Sequence, residues 1–103
     1  MLTVKFLEDA TIEFQEAAEW YETRNVGLGE RFRDLVTKKI ESIIEHPERY
    51  PKRKSNFRQI ALRTFPFIII YSFYKKEGII IINSIFHTSR IREKNTEGSN
   101  NLS

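Results

Sequence analysis

The chain has 103 residues, the size of one domain, and 40% of them are hydrophobic, enough for a folded core. It contains no cysteine, which excludes a disulfide framework, a thiolate nucleophile and a zinc ribbon. The longest apolar run, residues 65–71, is far shorter than the roughly 18 residues that span a bilayer. Acidic residues begin at Glu8, which argues against a signal peptide. We therefore expect a soluble, cytoplasmic, single-domain protein with no membrane partner.

Charge is divided unevenly between the two halves of the chain. Residues 1–51 carry 7 Lys and Arg against 11 Asp and Glu, whereas residues 52–103 carry 10 against 3. Such asymmetry is typical of a protein that presents one basic surface to a polyanion. Ordinary solvated charge on helices and turns explains the same split, so both interpretations stay open.

The first half predicts a short strand followed by a helical hairpin. Residues 2–7 alternate loosely and predict an edge strand. Apolar residues at helical spacing predict a first helix over residues 9–24, with Asp9 as its N-cap. Residues 25–27 (Asn-Val-Gly) break this helix, and a second helix follows from near Gly29 until Pro47 ends the pattern.

The second half predicts a basic loop and three strands. Residues 52–56 are polar and predict the loop. The predicted strands cover residues 57–62, 65–74 and 79–87, and a hairpin turn with Gly78 at positive φ joins the last two.

The predicted order of elements is β-α-α-β-β-β. This describes an α+β fold with an N-terminal strand, a helical hairpin and a three-stranded antiparallel meander. We expect residues 1–94 to form the domain and residues 95–103, which are almost entirely polar, to form a disordered tail.

Isoleucine runs in the last two strands point to a sheet that is covered on both faces. Residues 68–70 and 79–82 are all isoleucine and do not alternate with polar residues. Two helices can cover only one face, so we expect a partner protein on part of the other. Ile12 and Trp20 lie off the core face of the first helix and would extend that surface. Alternatively, the chain covers this face itself with Phe57, Phe65, Phe67 and Tyr74.

Six short motifs resemble the RelE/ParE superfamily of bacterial toxins, from residue 4 to about residue 94. They are AAEWYE (17–22), GLGERF (27–32), HPERYP (46–51), Arg58 with Leu62, FPF (65–67) and IFHTSR (85–90). The resemblance implies a RelE/ParE-like fold and the toxin of a type II toxin–antitoxin pair, held in a hetero-oligomer by a cognate antitoxin. Together with the isoleucine sheet, it indicates antitoxin-binding residues at Ile12, Trp20, Phe67, Ile69 and Tyr71.

The resemblance leaves the cellular target open. ParE-like proteins poison DNA gyrase, whereas RelE-like proteins cut messenger RNA on the ribosome. AAEWYE, HPERYP and FPF look closer to the ParE side, so our first hypothesis is a gyrase inhibitor that performs no catalysis. The second is a ribosome-dependent mRNA endonuclease. The third is an attenuated member that only binds its antitoxin, because Arg92 and Asn95 stand where ParE-like sequences have a proline and a tryptophan.

The chain contains residues suited to RNA cleavage, should it be an enzyme. Attack by the 2′-hydroxyl needs proton transfer and positive charge at the phosphate, and His87 has a suitable ordinary pKa. The candidate phosphate ligands are Arg58, Arg63 and Arg90, and the candidate nucleic-acid guides are Lys52, Arg53 and Lys54. No clustered metal ligands are apparent, and we expect no cofactor.

Structural roles for the same residues stay open. His87 also suits a hydrogen-bonded histidine at the edge of the core. Arg58 also suits a surface ion pair with a helix carboxylate, and residues 52–54 suit a solvated loop.

Overall fold

The computed structural model describes residues 2–89. In chain order their elements are β1 (Thr3–Phe6), α1 (Glu8–Arg24), α2 (Leu28–Glu45), β2 (Lys52–Lys54), β3 (Phe57–Ala61), β4 (Phe67–Tyr74) and β5 (Ile79–His87). The predicted α+β fold, with its N-terminal strand, helical hairpin and antiparallel meander, is confirmed. The predicted domain boundary at residue 94 and the predicted tail lie outside the described residues.

The five strands form one mixed sheet in the order β1-β5-β4-β3-β2. β1 is an edge strand, as predicted, and pairs in parallel with β5, with Val4 opposite Ile80. The other pairs are antiparallel; Ile69 of β4 lies opposite Ile60 of β3 and Ile85 of β5. Gly78 closes the β4–β5 turn at φ 68°, in the left-handed region predicted for it.

The prediction of a loop at residues 52–54 is wrong, because these residues form β2. All three side chains are exposed, and β2 pairs with β3 through its backbone at the sheet edge. A strand that buries no side chain has no hydrophobic period, so its sequence does not distinguish it from a loop. The register shifts between Lys52 and Lys54, and Ser55 turns the chain at φ 54°.

The core lies between the two helices and one face of the sheet, which we call the helix-covered face. Its buried side chains include Phe32 and Val36 from α2 and Ile69, Tyr71 and Ile82 from the sheet. On the opposite, outer face, Ile70 and Ile81 are half-buried. Two of the four aromatic residues offered as a cover for the outer face, Phe65 and Phe67, belong to the core instead, and the other two, Phe57 and Tyr74, are 42% and 41% exposed. Ile68 and Phe86, which also lie on the outer face, are buried.

A carboxylate clamp holds the helical hairpin together. Glu22 of α1 accepts hydrogen bonds from the backbone N–H groups of Gly27 (2.8 Å) and Gly29 (3.0 Å), two donors at the start of α2 that lack intrahelical partners. Gly27 turns the chain at φ 89°. A side chain on Gly29 would collide with the Ala18 carbonyl oxygen, so the two helices approach closely only because this residue is glycine.

The predicted N-cap of α1 is wrong. The helix starts at Glu8, so Asp9 lies inside the first turn, and the N-cap residue is Leu7, whose side chain makes no capping hydrogen bond. Glu8 and Asp9 both lie at the positive end of the helix dipole, where carboxylates are stabilising. The two acidic residues therefore mark the helix start without capping it.

Candidate functional site

Arg58 is buried and holds a loop. It lies on β3 opposite Tyr71, on the helix-covered face, and is only 9% exposed. Its Nη1 donates to the carbonyl oxygens of Glu48 (3.1 Å) and Tyr50 (2.6 Å) in the loop after α2. The expected surface ion pair with a helix carboxylate is therefore wrong. A guanidinium fixed in this way is poorly placed to receive a phosphate.

The HPERYP segment is fixed by a second set of contacts around Tyr71. The Tyr71 hydroxyl donates to the Pro47 carbonyl oxygen at 2.7 Å, and the Tyr50 hydroxyl lies 2.9 Å from Ser42 Oγ. Burial raises the pKa of Tyr71 to about 12, although nearby Arg58 partly lowers it. The Tyr71 phenol is therefore a neutral hydrogen-bond donor at physiological pH. Its bond to the Pro47 carbonyl oxygen attaches the HPERYP segment to β4.

His87 lies at the end of β5 and faces α1. Its ring contacts the opposing Phe67 ring edge-on, with centroids 5.3 Å apart. Its Nδ1 accepts the backbone N–H of Ser89 at 3.0 Å, which assigns the proton of the neutral ring to Nε2. Nε2 is the remaining donor, and the ring lines a cavity beside Trp20.

Two of the four predicted catalytic residues, His87 and Arg58, do not converge. His87 and Arg58 are separated by two strand spacings and four residues along β4, about 16 Å between their Cα atoms. Arg63 is exposed in the β3–β4 turn, which lies next to the end of β5, since Thr88 N–H donates to the Pro66 carbonyl oxygen at 2.8 Å. His87 and Arg63 thus share one end of the sheet, and Arg90 lies outside the described residues.

The basic run on β2 borders the outer face. Lys52, Arg53 and Lys54 are all exposed. Arg53 and Lys54 line a shallow cavity of about 300 Å³, and its other walls are formed by Phe57, Arg58, Gln59, Ile70, Asn83 and Ser84. Within residues 2–89, no group of three His, Cys, Asp or Glu side chains is arranged to hold a metal ion.

The predicted antitoxin-binding residues fall into two groups. Ile12 and Trp20 are 42% and 52% exposed, so their predicted exposure is confirmed. Phe67, Ile69 and Tyr71 are 7%, 0% and 0% exposed because they point toward the helices, so placing them on an open surface was wrong. Residues of β4 that alternate with these three point to the outer face. Because β4 has apolar residues on both faces, the sequence does not show which residues point to which face.

A cavity between α1 and the end of β5 is the feature that sequence reasoning missed. It measures about 230 Å³ and is lined by Ala17, Trp20, Tyr21, Phe67, His87 and Ser89. The Arg24 guanidinium lies 4.4 Å from the Trp20 ring centre, a cation–π contact one helical turn away. The sequence does show a tryptophan four residues before an arginine, which is the spacing of a contact on one helix face. It does not show that Trp20 lies close to His87, because that proximity depends on the fold.

Solved structures of bacterial toxins share this fold, and three of them follow. The isolated Escherichia coli RelE toxin is 19% identical and covers 94% of this chain and 97% of its own, with a TM-score of 0.66. A chain of the intact E. coli RelBE toxin–antitoxin complex is 18% identical, covers 84% and 96%, and has a TM-score of 0.65. A chain of the chromosomal ParDE toxin–antitoxin system of Pseudomonas aeruginosa is 16% identical, covers 84% and 96%, and has a TM-score of 0.59. The protein therefore has the RelE/ParE fold.

Sequence comparison assigns the family within this fold. The family described as "ParE toxin of type II toxin-antitoxin system, parDE" matches residues 4–92. The chain belongs to this ParE toxin family. No curated protein sequence matches it. Within residues 2–89, neither helix has the length and hydropathy needed to cross a membrane.

Proposed function

We propose that the protein inhibits DNA gyrase through binding, performs no chemical step, and is neutralised by a cognate antitoxin. The ParE family match supports the target. The observation that carries the absence of chemistry is the separation of His87 from Arg58, whose Nη1 donates to two backbone carbonyl oxygens.

RNA cleavage needs a proton acceptor, a proton donor and cationic ligands around one phosphate. His87 lies on the helix-covered side of the sheet beside α1, whereas Arg53 and Lys54 border the cavity on the outer face. A phosphate held by these cations would have the sheet between it and the imidazole. This arrangement favours binding over catalysis.

We infer that the antitoxin covers the outer face. Ile70, Ile79 and Ile81 are half-buried there, and Phe57 is 42% exposed, which leaves an apolar surface that a partner can cover. The E. coli RelBE and P. aeruginosa ParDE toxins were solved in toxin–antitoxin systems, which supports a partner of the same class.

We further propose that Lys52, Arg53 and Lys54 contact DNA held by gyrase. Their exposed charges lie together at a sheet edge and suit phosphate contacts. Replacing all three with Ser should weaken inhibition at moderate salt and reduce its salt dependence. Equal inhibition by this variant and the wild type at every salt concentration would remove DNA from the proposal.

The test compares the two targets with the same protein preparation. Purified protein should stop supercoiling by gyrase and leave ribosome-bound mRNA intact, and co-purified antitoxin should restore supercoiling. His87→Ala, checked for an unchanged melting temperature, should inhibit gyrase as wild type does.

Two results would contradict the proposal. Cleavage of ribosome-bound mRNA that His87→Ala abolishes without unfolding would establish the endonuclease. A bacterial host that grows normally while expressing the chain would refute both toxin activities and leave the attenuated member, with Arg92 and Asn95 as the residues to restore to Pro and Trp.

A further inference from the structure

The outward side of α1 carries a mixed apolar and acidic stripe. Ile12 and Trp20 are exposed and lie eight residues apart, about 12 Å along the helix axis. Glu16 and Glu19 lie between them on the same face of the helix and are exposed. Among residues 2–89 neither carboxylate has an ion pair or a hydrogen bond. We call Ile12, Glu16, Glu19 and Trp20 the α1 stripe.

The cavity beside Trp20 has the size and lining for one side chain. Its volume of about 230 Å³ lies below the roughly 300 Å³ at which small-molecule sites begin. The rings of Tyr21, Phe67 and His87 form its walls, and Arg24 packed on Trp20 holds the indole at its rim. His87 Nε2–H adds one polar donor, which can bond a backbone carbonyl of an incoming segment.

We propose that the α1 stripe binds a basic amphipathic helix of a partner protein, and that one apolar side chain of this helix enters the cavity. The two free carboxylates select lysine or arginine at the centre of the contact. Trp20 and Ile12 match apolar residues seven or eight positions apart on the partner helix, the spacing of one face over two turns. A second copy of α1 carries the same carboxylates and is disfavoured by charge. The proposal is independent of gyrase as target and of the antitoxin on the outer face.

Trp20 is the single tryptophan of the chain, so its fluorescence reports on this site alone. The probe is a synthetic helical peptide with two leucines seven residues apart and lysines between them on the same face. Its control has glutamates in place of the lysines. The lysine peptide should shift Trp20 emission to the blue with a saturable isotherm, and the glutamate peptide should leave it unchanged.

Charge reversal tests the stripe in the folded protein. Glu16→Lys with Glu19→Lys should weaken the lysine peptide at least tenfold. Glu41→Lys with Glu45→Lys changes the net charge equally at exposed positions of α2 and should keep the affinity within twofold. Trp20→Ala, measured by titration calorimetry, should abolish binding, and thermal melts confirm that each variant is folded.

Several outcomes would overturn the proposal. Equal binding of both peptides, or undiminished binding to the Glu16/Glu19 variant, would remove the charge complementarity. Emission that changes with protein concentration would assign the stripe to a second copy. A red shift of free protein on Ile91→Asp would show that the chain's own C-terminal segment fills the cavity.

Discussion

Replacing Arg58 with alanine separates a structural from a catalytic role for this residue. The substitution removes two hydrogen bonds from a charged donor to the carbonyl oxygens of Glu48 and Tyr50, each worth about 1.5–3 kcal/mol. Two effects reduce the loss of stability. Water can reach the loop carbonyls after truncation, and the substitution also removes the buried Arg58 Nε, which has no hydrogen-bond partner. The two bonds together are worth about 3–6 kcal/mol, and we expect the free energy of unfolding to fall by about 3 kcal/mol, the lower bound of that total.

Urea denaturation followed by circular dichroism measures this loss. For a domain of this size 3 kcal/mol corresponds to a fall in melting temperature of about 12–24 °C. The urea midpoint should fall while the slope stays constant, since the unfolded state is unchanged. Arg63→Ala is the matched control: Arg63 is exposed, so its loss should change stability by less than about 0.5 kcal/mol.

Arg58→Lys supplies the graded result if the alanine variant does not fold. A lysine keeps the positive charge and donates to both carbonyl oxygens, but without the planar geometry, so about half of the loss should return. An Arg58→Ala protein as stable as the wild type would refute the loop anchor. Such a protein that had also lost a nuclease activity would assign Arg58 to catalysis.

Gly29→Ala should lower the free energy of unfolding by about 3 kcal/mol, because the new methyl group collides with the α1 backbone. Gly27→Ala is strained at φ 89° but meets open space, so it should lower the free energy of unfolding by about 1 kcal/mol. Urea midpoints compare the two variants, and equal losses would contradict the close approach of the helices. Tyr71 has its folded pKa raised to about 12 from 10.0, so its contribution is fully present below pH 10 and is lost as pH rises toward 12. Tyr71→Phe should flatten that decline in alkaline denaturation, and an unchanged decline would show that another group causes it. Glu13 Oε1 accepts hydrogen bonds from Ser84 Oγ (2.9 Å) and Ile85 N–H (3.0 Å). Glu13→Ala should therefore lower the free energy of unfolding by about 2–3 kcal/mol and accelerate hydrogen exchange at the Ile85 amide. Unaltered exchange at this amide would contradict the prediction.

The order of elements was predictable because most of them carry a clear hydrophobic period. The α1 residues Ala10, Ala18 and Tyr21 are buried at the helical spacing that predicted them. β2 was not predictable, since three exposed charged residues at a sheet edge have no such period. The parity of β4 was hidden for the opposite reason, because Ile68 to Ile70 offer apolar side chains to both faces.

The candidate sites were less predictable than the fold because they depend on contacts between distant residues. Arg58 within an apolar strand was visible, but its carbonyl partners come from a loop whose path follows α2 and β2. His87 and Trp20 were each singled out for different roles. Their shared cavity forms only because β5 lies under α1, 67 residues later in the chain.

Several residues of the family motifs hold the fold. In AAEWYE and GLGERF, Glu22 and Gly29 lock the helical hairpin, and in HPERYP the Pro47 carbonyl accepts from Tyr71. Substitutions at Glu22 or Gly29 should lower stability, so a loss of activity in such variants would not by itself report on the target. Exposed residues such as Lys54 can be replaced without disturbing the core, so their substitution is the way to test the choice of target.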